Sequence, residues 1–197
     1  MTEIERILKI ADKQEGIVTA SDVTNAHISR RALTDAVHMQ LLIKIGRGIY
    51  SRPETWEDEW LITQYRYSKG IYSHDASLFL HGFSDRTPSS LTMTFPHGYH
   101  IHKSGDVLVN TRYSIEEIYL LGIETILSPA GHHIKVYDLE RTLCDMVRGN
   151  EKSDIQIVNG AMKQYAGYKG KNIRKLMKYA KILRVEQKIK NYMEVLL

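Results

Sequence analysis

ISRRALTDAVHMQLLIKIGRGIYSRP, residues 28–53, decides how the start of this chain is read. Ser29 is a good N-cap, and the spacing predicts a helix from there to about Met39. Ile28, Ala32, Leu33, Ala36 and Val37 share one apolar face. Arg30, Thr34 and His38 form a polar row on the other side, with Arg31 and Asp35 beside it. The residues after it alternate around Gly46-Arg47-Gly48 and predict a small hairpin, which Tyr50 follows on its second strand and Pro53 closes.

Working outward, residues 3–13 put Ile4, Ile7, Leu8 and Ala11 on one helical stripe, which Gly16 ends. Ile17–Thr19 reads as extended. A short helix follows from about Ala20 to Asn25, capped by Thr19 or Ser21, and His27 and Ile28 turn the chain. A helix, two helices joined by a tight turn, then a two-stranded wing is the order of a winged helix-turn-helix. In such a module the third helix enters the major groove of duplex DNA and its first residues lie nearest the base edges. Ser29, Arg30, Arg31, Thr34 and His38 are therefore the expected DNA contacts of the helix, and Lys44, Arg47 and Arg52 those of the wing. Arg31 paired with Asp35, and hairpin glycines serving only geometry, are the structural alternatives.

Charge is unevenly spread. Residues 1–53 hold eight Lys/Arg and six Asp/Glu, residues 54–162 nine and fifteen, and residues 163–190 ten and one. The basic tail points to an acidic polymer as partner. A helix near Lys171–Leu183 would turn Ile173, Leu176, Met177 and Ala180 inward, leaving Lys171, Arg174, Lys175, Lys178 and Lys181 outward. These five are expected to strengthen DNA binding without reading sequence, and a solvated helix face is the alternative.

The middle of the chain mixes strands and helices. A helix runs to about Ser68 and a strand covers Gly70–Tyr72. Ser73 caps a helix through Leu80. Leu91–Pro96, Asp106–Arg112, Tyr119–Leu127 and Ile134–Tyr137 read as strands, although Tyr119–Leu127 also permits a helix. Asp138 caps a helix to about Arg148, and three helices fill most of 153–196. The expected fold class is α+β, a winged helix-turn-helix over 1–54 and a mixed domain over 58–197 that ends in a basic helical segment.

Enzyme signatures are missing. His97, His100 and His102, with His132 and His133, lack zinc-type spacing and read as exposed loop histidines. Asp75, Asp85, Asp106 and Glu124 are scattered, and neither a phosphate-cradling glycine loop nor a GxSxG elbow occurs. No catalytic residue, metal or cofactor is expected. Cys144, the single cysteine, beside Leu143 and Val147, reads as a core residue. Arg141 and Asp145 are placed for a structural pair within one helix. With no apolar run long enough for a membrane span and no disulfide framework, a cytoplasmic protein is expected.

The same residues 28–53 resemble the N-terminal module of the AbiEi family, antitoxins of type IV toxin–antitoxin systems first known from phage abortive infection. Ser29-Arg30-Arg31, Leu41-Leu42 and Gly46-Arg47-Gly48-Ile49-Tyr50 carry the likeness. Residues 136–147, VYDLERTLCDMV, are similar to the family's strand-then-helix element through Glu140, Arg141, Thr142, Leu143 and Asp145. The resemblance implies an autorepressor that binds inverted repeats upstream of its own operon. It also implies neutralisation of a neighbouring nucleotidyltransferase toxin without a stable complex. A monomer that occupies repeats cooperatively fits the absence of a heptad seam. The alternative is a ligand-responsive winged-helix repressor, which an apolar pocket with a few convergent polar groups would favour.

Overall fold

In the computed structural model, which describes residues 1–55, 58–101, 108–148 and 154–196, the chain begins with a capping box. The Thr2 hydroxyl accepts from the Glu5 amide while the Glu5 carboxylate accepts from the Thr2 amide, starting helix α1 (Glu3–Lys13). Strand β1 (Ile17–Thr19) leads into α2 (Ala20–Asn25), which a second reciprocal cap between Thr19 and Asp22 starts. His27, at φ 53°, turns the chain into α3 (Arg30–His38), and Ser29 caps it by accepting from the Arg31 amide. Strands β2 (Ile43–Gly46) and β3 (Ile49–Ser51) follow. They form an antiparallel sheet with β1 in the order β1-β3-β2, so the extended residues before the helix-turn-helix brace the hairpin after it.

One face of each helix supplies the core here. Ile7, Ala11, Val18, Val23, Ala36 and Leu42 are buried together, with Ile28, Ala32 and Leu33 from the predicted apolar face of α3. Gly48 turns the hairpin at φ 72°, a left-handed conformation that costs an L side chain about 1–2 kcal/mol.

Two compact units result. The first comprises Met1–Ser68 together with Leu127–Ile134; the second comprises Lys69–Ile126 and Lys135–Leu197. The first unit is thus larger than a 1–54 module, because α4 (Glu59–Arg66) and residues 127–134 cluster with it. Asp58 is the reason. It is buried and caps α4 by accepting from the amides of Trp60 (2.9 Å) and Leu61 (3.3 Å). The same carboxylate accepts from the Ser128 hydroxyl and lies 3.1 Å from His132 Nδ1. Glu15 adds a bond from the His133 amide (3.0 Å).

Strands β4 (Ile71–Tyr72), β5 (Leu91–Pro96), β6 (Val109–Ser114), β7 (Ile123–Leu127) and β8 (His133–Tyr137) make a mixed sheet in the order β6-β5-β4-β8-β7, whose residues belong to the second unit except Leu127, His133 and Ile134. Helix α5 (His74–Leu80) follows β4, and α7 (Leu139–Val147) follows β8. Helices α8 (Ile155–Gly167), α9 (Ile173–Ile182) and α10 (Glu186–Leu196) complete the core around Leu143, Met162, Leu176 and Ile189. This is the mixed α/β domain with a helical end that the sequence predicts.

Two elements differ from expectation. Within Tyr119–Leu127 only Ile123–Leu127 is strand; a short helix, α6 (Glu116–Tyr119), precedes it, and Gly122 at φ 77° separates the two. A Cβ on Gly122 would lie 2.9 Å from both Arg141 Cβ and Asp138 Oδ2, so the close approach to α7 also needs glycine. The strand expected over Asp106–Arg112 is Val109–Ser114; Asp106 and His102 lie outside the described residues.

Candidate nucleic-acid interface

Helix α3 divides sharply. Ala32, Leu33 and Ala36 are buried, whereas Arg30, Arg31, Thr34 and His38 are exposed. Arg31 forms no ion pair with Asp35 among the described residues, so its guanidinium keeps its charge available. Arg30 is held from one side: its Nε donates to Thr24 Oγ1 at 3.1 Å, and Thr24 in turn donates to the Ala20 carbonyl. That contact orients the arginine from α2 without neutralising it. Ser29 is occupied as the cap, and its own amide donates to Glu3 (3.2 Å).

On the hairpin, Lys44 and Arg47 are exposed, Lys44 across from Tyr50 and Arg47 at the tip between two glycines. Arg52 is different. Its Nε lies 3.0 Å from Asp12 and 3.3 Å from Glu54, without the alignment of a hydrogen bond. Two carboxylates already balance its charge, which makes it a weaker candidate than its sequence neighbours.

The basic helix of the second unit is only partly as expected. Arg174, Lys178 and Lys181 are exposed in one row of α9. Lys171 precedes the helix and donates to the Ala166 carbonyl (2.6 Å). Lys175 does not stay outward. Its Nζ lies 3.1 Å from Asp138 and 3.2 Å from Glu140, both buried. Burial alone would lower its pKa, but the bonds and charge of Asp138 and Glu140 win and raise it well above the ordinary value. Lys175 is a structural counter-ion.

Those acids belong to the element at 136–147. Glu140 also accepts from the Tyr165 hydroxyl (2.9 Å) and the Asn172 amide (3.2 Å), tying α7 to the start of α9. Arg141 is 1% exposed; its Nε donates to Asp145 at 2.9 Å and its Nη1 to the carbonyls of Ile118 and Leu121. The guanidinium also covers the Tyr137 ring at 4.3 Å. The structural pair expected of Arg141 and Asp145 is therefore present. Cys144 is fully buried, and burial pushes its thiol up to about 12.

The histidines are not all loose loop residues. His132 packs against Asp58, and His133 is the first residue of β8 beside Glu15. Among the described residues no group of three or more His, Cys, Asp or Glu side chains is placed to hold a metal. No helix among them is long and apolar enough to cross a membrane. A polar cleft in the second unit, around His74, Arg112 and Arg148, had no sequence signal. Its residues come from four elements separated along the chain.

A helix-turn-helix with an exposed basic third helix and a braced hairpin is the architecture of the N-terminal module. Residues 5–53 match the family model described as transcriptional regulator, AbiEi antitoxin. The N-terminal module is thus similar to that of a family described as AbiEi antitoxin transcriptional regulators. No curated protein matches the chain. Among solved structures it is similar to the RV2827C protein from Mycobacterium tuberculosis. The TM-score is 0.58 at 12% identity, over 98% of this chain and 77% of that one. At that identity the likeness concerns the fold alone.

Proposed function

We propose that this protein is a winged-helix autorepressor and antitoxin of a type IV operon. It binds inverted repeats upstream of its own gene and counters a neighbouring nucleotidyltransferase toxin without a stable complex. The observation that carries the DNA reading is the α3 face, where Arg30 and Arg31 are exposed and keep their charge. Thr34 and His38 continue that face, and Lys44 and Arg47 extend it along the hairpin that acts as the wing. An arginine that grips guanine through O6 and N7 discriminates by about 1–3 kcal/mol. A tip arginine such as Arg47 suits a phosphate or a narrow minor groove. The family description supports regulation and the antitoxin role. Binding as a monomer, cooperatively along repeats, in the cytoplasm, completes the reading.

The test is fluorescence anisotropy with the duplex upstream of the gene, beside a scrambled duplex, across a salt series. Selective binding that an Arg30→Ala, Arg31→Ala double variant loses supports the repressor. Equal weak binding to both duplexes rejects it. Co-expression with the adjacent gene tests the antitoxin role: a toxin that stays lethal in the presence of this chain rejects it.

A further inference from the structure

The second unit contains a cleft of about 180 Å³ that the DNA-binding reading does not use. It is polar, unlike the apolar pocket expected of a small-molecule sensor. Strand alternation builds one wall. Thr94 and Arg112 are register partners across β5 and β6, and Ser114 lies two residues further along the same face. The Tyr113 ring takes the opposite face, where it packs on Phe95 with 6.2 Å between centroids. Arg141, Asp145 and Arg148, spaced i, i+4 and i+7 along α7 and its C-cap, form a second wall.

Three arginines thus line a concave surface with one carboxylate, and that carboxylate already accepts from Arg141 Nε at 2.9 Å. Arg141 is fixed in place, because its Nη1 donates to the carbonyls of Ile118 and Leu121. Its Nη2 is the donor left for a ligand. Arg148 is exposed and makes no ion pair among the described residues, so it can meet an incoming anion. His74 adds a neutral donor. The Thr94 hydroxyl donates to Ser73 Oγ at 2.9 Å, which leaves the Ser73 proton for His74 Nδ1, 3.0 Å away. The ring proton then sits on Nε2. Burial holds the His74 pKa below the ordinary value, so the ring is neutral at pH 7. His74 is also held at φ 54°, a left-handed backbone that an L side chain adopts at a cost and that ligand clamps tolerate.

We propose that this cleft is an oxyanion site that takes a phosphate dianion, free or at the end of a small monoester, on Arg112, Arg141 and Arg148. The direction of the donors selects phosphate over carboxylate. They come from a strand, a helix and a helix C-cap. One guanidinium fork fills the two oxygens of a planar carboxylate. A phosphate group offers three or more acceptor oxygens and up to two charges. The volume lies below the roughly 300 Å³ at which pockets for drug-sized ligands begin, so the ligand is small. The site stands whether or not the chain binds an operator.

Isothermal titration of the full-length protein at pH 7.5 with inorganic phosphate, methyl phosphate, dimethyl phosphate and acetate tests it. Phosphate and methyl phosphate are expected to bind, and the singly charged dimethyl phosphate and acetate at least tenfold more weakly. Methyl phosphate binding tighter than phosphate marks an ester as the source of the group; the reverse marks the free ion. Arg148→Gln should weaken both dianions at least tenfold. Arg148→Lys, which keeps the charge and loses the fork, should weaken them less. Lys181→Gln, at an exposed lysine of α9 outside the cleft, should change neither. Nitrogen NMR should find the His74 proton on Nε2 and its pKa rising when phosphate binds. Arg148 is exposed, and unchanged thermal unfolding confirms that its variants fold. No phosphate binding at millimolar concentration overturns the proposal, as does affinity indifferent to Arg148→Gln. Equal loss in Lys181→Gln overturns it in favour of diffuse surface charge. Acetate binding as tightly as phosphate overturns the phosphate assignment, and so does Arg148→Gln weakening only duplex DNA.

Discussion

Arg47 and Arg52 lie close in sequence on the hairpin and its exit, and their surroundings give them opposite expectations. Arg47 is exposed at the tip, while Arg52 sits between Asp12 and Glu54. Arg47→Ala should weaken operator binding and lower its salt slope by about 0.9 for one phosphate contact. Arg52→Ala should leave the slope unchanged and cost about 1 kcal/mol of stability or less, since such pairs are weak. Anisotropy and chemical unfolding of the two variants separate these outcomes. His74 gives a pH prediction. Burial lowers its pKa from 6.5, against Asp145 and Asp75 and together with Arg112 and Arg141. Between the folded and unfolded values the unfolded chain binds the extra proton, so stability falls as pH drops through about 6.5. Thermal unfolding should show that loss between pH 7.5 and 5.5, and His74→Gln should reduce it. Single residues were legible where partners are local. The Arg141–Asp145 pair follows from i,i+4 spacing, and the burial of Cys144 from its apolar neighbours. Lys175 was not legible, because Asp138 and Glu140 come from a different helix and only packing brings them to it.

The elements of the first unit were legible because each has a local cause. Thr2, Thr19 and Ser29 cap its first three helices, and Gly48 turns the hairpin. In the second unit Tyr119–Leu127 is ambiguous in sequence, because its apolar residues satisfy both periods and Gly122 divides helix from strand. The basic helix departs most from its expected role. Its outward row is Arg174, Lys178 and Lys181, not Lys171 and Lys175. If that row follows DNA, replacing those three with glutamine should lower the salt slope by up to about 2.7, about 0.9 for each phosphate. An unchanged slope means a solvated face. Lys175→Gln should instead destabilise the protein, because it removes the counter-ion of two buried carboxylates, a loss that can reach about 3 kcal/mol when a buried pair is broken. Its partial exposure places the expected loss below that figure.

At the scale of the molecule, Asp58 explains why the first unit is discontinuous. One carboxylate caps α4 and holds Ser128 and His132. Asp58→Ala should therefore raise hydrogen exchange in α4 and in residues 127–134 together, with the helices of the second unit unchanged. The loss of the cap alone is worth about 0.5–2 kcal/mol. Exchange rising in α4 alone would show that residues 127–134 are held by other contacts. The sequence could not reveal this clasp, since Asp58 and His132 are far apart in the chain and each looks like an ordinary loop residue.

That clasp also sets an order of events during synthesis. The helix-turn-helix leaves the ribosome early, but residues 127–134 emerge only after most of the sheet of the second unit. At about 5–20 residues per second, roughly 3–13 s separate Ser68 from Ile134. A nascent chain has α3 before it has the segment that finishes its unit. Completion of the first unit is thereby timed by translation of the second half of the chain, and a message truncated before residue 127 yields a first unit without its clasp.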